Sequence, residues 1–91
     1  MKLNEYLKIN QIRQSSFAKA VGVSQGFVSA VIIGRYVPKG RNAIEWSKAT
    51  GWAVTPHELN PHDYPNPTDG LPVEFQANTQ PEAELIHENQ A

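Results

Sequence analysis

The stretch between Gln14 and Gly34, QSSFAKAVGVSQGFVSAVIIG, restricts the fold more than any other part of the chain. Its apolar residues recur every three or four positions on both sides of Gly22, which is the spacing of two amphipathic helices. Gly22 lies where the first helix must end in a left-handed conformation, which glycine adopts without steric cost. Ser24 is a favoured N-cap residue, so a second helix is predicted from Gln25. The predicted inward residues are Phe17, Ala18 and Val21 on the first helix and Val28, Val31 and Ile32 on the second.

Two short helices joined by a tight turn form the pattern of a helix-turn-helix, whose second helix enters the major groove of DNA. In this chain the second helix is predicted over residues 25–33. Its outward face carries Gln25, Gly26, Ser29, Ala30 and Ile33, which are mostly small or polar, as a helix in the groove requires. The candidate base-reading residues on that face are Gln25, Gly26, Ser29 and Ala30, of which Gly26 offers no side chain.

The side chains on this face suit the edges of DNA bases. The amide of Gln25 can pair bidentately with N6 and N7 of adenine, which discriminates between bases by ~1–3 kcal/mol. Ser29 can donate or accept a hydrogen bond, and Ala30 can pack on a thymine methyl group. Phe27 could also touch a thymine methyl group, but packing against the preceding helix is the favoured interpretation.

The charge of the chain is divided by position. Residues 1–60 hold all eight Lys and Arg and only three acids, a formal net charge of +5, whereas residues 61–91 carry −6. A basic folded part favours a polyanionic partner. Phosphate contacts are predicted at the rim of the second helix, because such contacts orient a protein on DNA. The candidates are Gln14, Ser16, Lys19 and Ser24, followed by Arg35, Lys39 and Arg41 of the basic segment (residues 35–41).

The rest of the chain predicts an all-α, five-helix domain over residues 1–65. A first helix is expected over Leu3–Ile9 and a fourth over about Asn42–Thr50. Thr55, Pro56 and Glu58 form the N-cap, first position and capping box of a short fifth helix. Residues 66–91 contain several prolines, five acids and no Lys or Arg, so a flexible, mostly disordered tail is predicted.

Several classes of protein are disfavoured. The chain has no cysteine and no apolar run long enough to span a membrane, so a cytoplasmic protein without membrane contact is expected. His57, His62 and Asp63 lack the spacing of a zinc site, and no nucleophile motif predicts a hydrolase. Neither a metal, a cofactor nor catalytic residues are therefore predicted.

The same residues resemble a known family. The initial Gln, Ala18, Gly22, the Ser-Gln at 24–25 and Val28 resemble the helix-turn-helix of phage Cro and repressor proteins of the lambda-repressor-like class. The flanking MKLNEYLK, KATG and VTPHEL narrow the resemblance to Cro-like proteins also known as YdaS-type antitoxins. It covers residues 1–65.

The resemblance implies roles for individual residues. Gln14 would contact a phosphate and brace Gln25, Gln25 would read an adenine, and Ser29 would face the groove beside it. Two residues depart from the family pattern. Gly26 replaces a residue that often has a side chain, and Ile33 stands where an Asn commonly touches phosphate.

The expected function is a sequence-specific, autoregulatory repressor of prophage Cro type that binds a double-stranded DNA operator and associates with the bacterial nucleoid. Such a small module makes few contacts, so a homodimer or higher homo-oligomer is expected. The resemblance extends to regulators of toxin–antitoxin operons. The alternative is therefore a protein-interaction module, an antitoxin whose tail binds a toxin or another partner.

Overall fold

The structure is a computed structural model and describes residues 1–78. This part of the chain is all-α, as predicted, and has six helices and no strand. None of these helices combines the length and the apolar character that a membrane span needs. The helices are α1 (Leu3–Ile9), α2 (Gln14–Val21), α3 (Gln25–Ile32), α4 (Arg41–Ala49), α5 (Pro56–Leu59) and α6 (Val73–Asn78).

The turn between α2 and α3 has the geometry that its residues predict. Gly22 ends α2 with φ 77° and ψ 31°, in the left-handed region. The Ser24 hydroxyl oxygen accepts a 3.1 Å hydrogen bond from the backbone N–H of Phe27 and caps α3. The second helix was predicted to include Ile33, but α3 ends at Ile32 and Ile33 occupies its C-cap position.

The core is centred on Trp46 of α4, whose side chain is only 2% exposed. The Trp46 ring makes edge-to-face contacts with Phe17 of α2 and Phe27 of α3, at centroid distances of 5.6 and 5.8 Å. One indole therefore holds both helices of the pair against α4. Phe27 therefore packs inward, as favoured, but its ring contact is with Trp46 of α4 and not with the preceding helix. The other buried apolar residues of this cluster are Leu3, Leu7, Ala18, Val28, Ala43, Val54 and Leu59.

The fourth helix begins one residue earlier than predicted, because Gly40 serves as its N-cap residue. Gly40 has φ 53° and ψ −125°, a conformation that side chains disfavour. Arg41 is consequently the first residue of α4 and not the last residue of a loop. The predicted N-cap of α5 is confirmed, since the Thr55 hydroxyl oxygen accepts from the backbone N–H of Glu58 at 3.1 Å. The other half of the predicted capping box is not formed, because the Glu58 carboxylate pairs with the Met1 amine at 2.7 Å and not with the Thr55 N–H.

Residues 66–78 differ from the mostly disordered tail that was expected. Leu71 is only 5% exposed, and the Phe75 ring lies 6.1 Å from the ring of Trp52. The short helix α6 follows Pro72. Prolines prevent a long element here, but they do not prevent two apolar side chains from packing on the domain. The remainder of the predicted tail, residues 79–91, lies outside the described residues.

Candidate nucleic-acid interface

Gln14 and Gln25 are the first residues of α2 and α3, and their side chains meet. The Gln25 amide nitrogen donates a 2.9 Å hydrogen bond to the side-chain oxygen of Gln14. An amide nitrogen carries two hydrogens, so Gln25 retains one donor and its carbonyl oxygen. These two groups form the donor–acceptor pair that a bidentate contact with a base edge requires.

The outward face of α3 is most accessible at its beginning. Gln25 and Gly26 are exposed, whereas Ser29 and Ala30 are half-buried. A Cβ atom built on Gly26 meets no atom within 4 Å, so the chain itself leaves free space beside Gln25. The candidate base-reading residues thus lie on one face, with Gln25 as the longest side chain among them.

The candidate phosphate contacts on α2 and at the turn border this face. Ser16 and Lys19 are exposed and three residues apart, so they share one side of α2. Ser24 is also exposed, but its hydroxyl oxygen already accepts the capping hydrogen bond. Its O–H hydrogen remains available to donate to a phosphate oxygen.

The basic segment continues from the other end of α3. Its backbone is tied to α3, because the Arg35 N–H donates to the Ala30 carbonyl at 2.8 Å. The Tyr36 ring stacks on Phe27 at a centroid distance of 5.9 Å. Arg35, Lys39 and Arg41 are all exposed, and no carboxylate of residues 1–78 forms an ion pair with them. Their charges are therefore available to an anionic partner.

Three residues that contact the basic segment were not anticipated from the sequence as part of the site. Asn60, Asp63 and Tyr64 hydrogen-bond to the backbone of Pro38 and Gly40. Asn and Asp commonly bind backbone groups in turns, but which turn they reach cannot be read from residue spacing across 20 or more positions. The only available signal was their residue type.

His57 and Asp63 make hydrogen-bond contacts within the domain. The His57 ring nitrogen Nδ1 lies 2.7 Å from the Tyr64 carbonyl oxygen, and an Asp63 carboxylate oxygen accepts from the Gly40 N–H at 3.0 Å. Both contacts organise the chain around Tyr64.

An apolar patch lies beside the end of α3. It consists of Ile33, Tyr36 and Val37, which are 67%, 56% and 40% exposed. Tyr36 and Val37 also line an open groove of about 390 Å³. The groove continues between α3 and α5, where Val31, Ile32 and Leu59 contribute apolar walls.

Comparison of the chain with protein-family models, with curated proteins and with solved structures found no match.

Proposed function

We propose that this chain is a sequence-specific DNA-binding repressor of prophage Cro type, in which α2 and α3 form a helix-turn-helix. The domain belongs, on this proposal, to the lambda-repressor-like class, with α3 in the major groove. The Gln25–Gln14 hydrogen bond at 2.9 Å carries the proposal. It holds the exposed amide of Gln25, which can make a bidentate contact, at the beginning of α3. The next residue, Gly26, has no side chain that would obstruct this amide.

The amide pair supports adenine as the base that Gln25 reads. With one Gln25 hydrogen donated to Gln14, the second can point to adenine N7 while the carbonyl oxygen accepts from N6. The bond to Gln14 also selects which side of the Gln25 amide faces outward. Gln14 retains its own amide hydrogens, which can donate to a phosphate oxygen.

The charges support a phosphate contact on both sides of this amide pair. Lys19 lies on α2 before the turn, and Arg35, Lys39 and Arg41 follow α3. All four are exposed. Contacts to phosphates from both sides fix the register of a helix on the duplex.

A second copy of the chain completes the proposed complex. One reading helix of eight residues contacts few base pairs, and two-fold operators match two-fold protein dimers. The apolar patch at the end of α3 can serve both copies of a two-fold pair, because such an interface uses the same surface twice.

The direct test is binding to the DNA immediately upstream of the gene for this chain, which an autoregulatory cytoplasmic repressor must recognise. A mobility-shift titration of inverted repeats in that DNA should show saturable binding. A scrambled duplex of equal length should not displace the protein from those repeats. Gln25→Ala should lose the preference for one adenine position. Equal binding of the wild type to the scrambled duplex contradicts sequence-specific recognition.

A further inference from the structure

The turn at Gly40 is held in place by a segment that follows α5. Asn60, Asp63 and Tyr64, named here the Asn60–Tyr64 clamp, bind three backbone groups of this turn. Gly40 lies between Lys39 and Arg41, two of the cations proposed to bind phosphate. The clamp therefore determines where the backbone of both cations lies.

Asn60 organises the clamp from inside the protein. It is only 2% exposed. Its amide nitrogen donates to the Pro38 carbonyl at 2.9 Å and to an Asp63 carboxylate oxygen at 3.0 Å. Its side-chain oxygen accepts from the Asp63 N–H at 3.0 Å. With both amide hydrogens used, Asn60 has a fixed orientation and in turn orients the Asp63 carboxylate.

Gly40 is bonded on both of its backbone groups. The carboxylate oxygen of Asp63 that binds Asn60 also accepts from the Gly40 N–H at 3.0 Å. The Tyr64 hydroxyl donates to the Gly40 carbonyl at 2.7 Å. These bonds hold the backbone at φ 53° and ψ −125°, which a free chain visits only as one of several glycine conformations.

We propose that Asp63 and Tyr64, oriented by Asn60, are positioning residues for DNA phosphate binding, because they fix the turn that carries Lys39 and Arg41. The inference rests on the proposed DNA-binding function. It adds to that function residues that do not themselves contact DNA. Fixing a backbone residue in advance removes an ordering cost from the binding step. The clamp thus raises affinity for every DNA sequence and leaves the base preference set by Gln25 unchanged.

Asp63 has a second, opposing effect, because its negative charge lies beside the proposed phosphate site. Two substitutions separate the effects. Asp63→Asn and Asp63→Ala remove the same charge, but the asparagine oxygen can still accept from the Gly40 N–H. Any difference in DNA affinity between these two variants therefore reports the hydrogen bonds and not the charge.

Both variants should be titrated with the operator and with a scrambled duplex over a range of salt concentrations. Asp63→Ala should bind both duplexes about fivefold more weakly than Asp63→Asn, the usual effect of one hydrogen bond. Its binding should also depend less steeply on salt, because phosphate contacts of the loosened turn are lost. The ratio of operator to scrambled affinity should be equal in the two variants.

Tyr64→Phe provides an independent variant that keeps the charge and the ring. Gly70 approaches this ring so closely that a Cβ atom there would lie 3.1 Å from it, and phenylalanine preserves that packing. Tyr64→Phe should weaken binding to both duplexes about fivefold in the wild-type background. It should have no effect when Lys39→Ala and Arg41→Ala are already present, since the clamp acts through those cations. A purely structural role would lower the melting temperature and leave this coupling at zero.

The outcomes distinguish the clamp from the DNA-binding proposal. The clamp proposal is overturned if Asp63→Ala and Asp63→Asn have equal affinity and salt dependence and Tyr64→Phe binds DNA like the wild type. The repressor proposal still holds in that case if the wild type binds the operator with an adenine preference that depends on Gln25. A wild-type protein that binds neither duplex overturns both. If Asp63→Ala does not fold, the Tyr64→Phe coupling alone decides, with folding checked by circular dichroism.

Discussion

The side-chain amide of Gln25 donates a 2.9 Å hydrogen bond to the side-chain oxygen of Gln14, so the first residue of α3 is joined to the first residue of α2. An exposed hydrogen bond of this kind adds little to stability, at most ~1 kcal/mol. Its larger effect is on orientation, because an unrestrained amide can present either its oxygen or its nitrogen to a partner. The pair makes the outward face of α3 chemically defined before any ligand arrives.

Substitutions at Gln14 separate the orientation of Gln25 from contact with phosphate. Gln25→Ala should reduce the preference for adenine about 5- to 150-fold, the equivalent of ~1–3 kcal/mol. Gln14→Ala should reduce that preference in part, because the Gln25 amide loses its restraint. Gln14→Glu should keep the preference, since a carboxylate still accepts the hydrogen bond, and weaken binding to all duplexes by repulsion. Fluorescence anisotropy with operators in which single adenines are replaced measures the adenine preference of all three variants. An equal adenine preference in every variant contradicts the assignment of Gln25 as the residue that reads adenine.

The cations of the basic segment should contribute affinity without sequence preference. Arg35→Ala and Arg41→Ala should each reduce the slope of log K against log salt by about 0.9, the value for one phosphate contact. Lys48→Ala is the matched control, because Lys48 lies in the last turn of α4, away from the helix start that Arg41 forms. Isothermal titration at several salt concentrations gives the slopes. A slope change for Lys48→Ala as large as for Arg41→Ala would place the DNA surface elsewhere.

The parts of this fold that could be predicted from the sequence are those decided within a few residues. Gly22, Ser24 and Thr55 each act on a neighbouring turn, so their roles follow from residue type and position. The start of α4 at Arg41 is not predictable in this way, because its N-cap residue, Gly40, has no side chain that could form a capping hydrogen bond. The packing of Phe75 on Trp52 joins residues 23 positions apart, and sequence patterns carry no distance information on that scale.

In the candidate site, too, the features set by nearby residues are predictable from the sequence and those that depend on distant contacts are not. Gln25 and the cations were identified from the spacing of α3 and the charge of the segment after it. The meeting of Gln14 with Gln25 was expected only from the resemblance to Cro and repressor proteins, because an 11-residue separation across a turn leaves many side-chain arrangements open. The Asn60–Tyr64 clamp was not expected at all, since it depends on how α5 packs beside the turn at Gly40.

A pair of glycine substitutions separates backbone strain from space in the turn and in α3. Both Gly22 and Gly26 leave room for a Cβ atom, but only Gly22 has a positive φ. Gly22→Ala should lower the free energy of unfolding by ~1–2 kcal/mol, the cost of the left-handed conformation. Gly26→Ala should raise it by up to ~1 kcal/mol, because alanine favours a helix. Urea denaturation measures both, and a loss of stability with Gly26→Ala contradicts the helical assignment of that residue.

Self-association should depend on the apolar patch at the end of α3. Ile33→Ser should weaken dimerisation about tenfold or more, because burying an isoleucine contributes ~1.5–3 kcal/mol. Ile9→Ser is the matched control, since Ile9 of α1 is 66% exposed and Ile33 is 67% exposed. Sedimentation velocity without DNA, over a range of protein concentrations, determines both dissociation constants. Equal weakening by the two substitutions, or a monomeric wild type, contradicts this interface.

Truncation at two positions tests whether residues beyond the predicted DNA-binding domain contribute to operator binding or to stability. A chain ending at Asn78 loses Glu82, Glu84 and Glu88, so its operator affinity should stay equal or rise as repulsion from DNA decreases. A chain ending at Pro65 also loses Leu71 and Phe75. Its free energy of unfolding should be lower by ~2–3 kcal/mol, since Leu71 is buried. Operator binding and urea denaturation of both chains separate these effects. Loss of operator binding in the chain ending at Asn78, with its stability retained, would show that residues 79–91 are required for DNA binding and contradict the assignment of that function to residues 1–65.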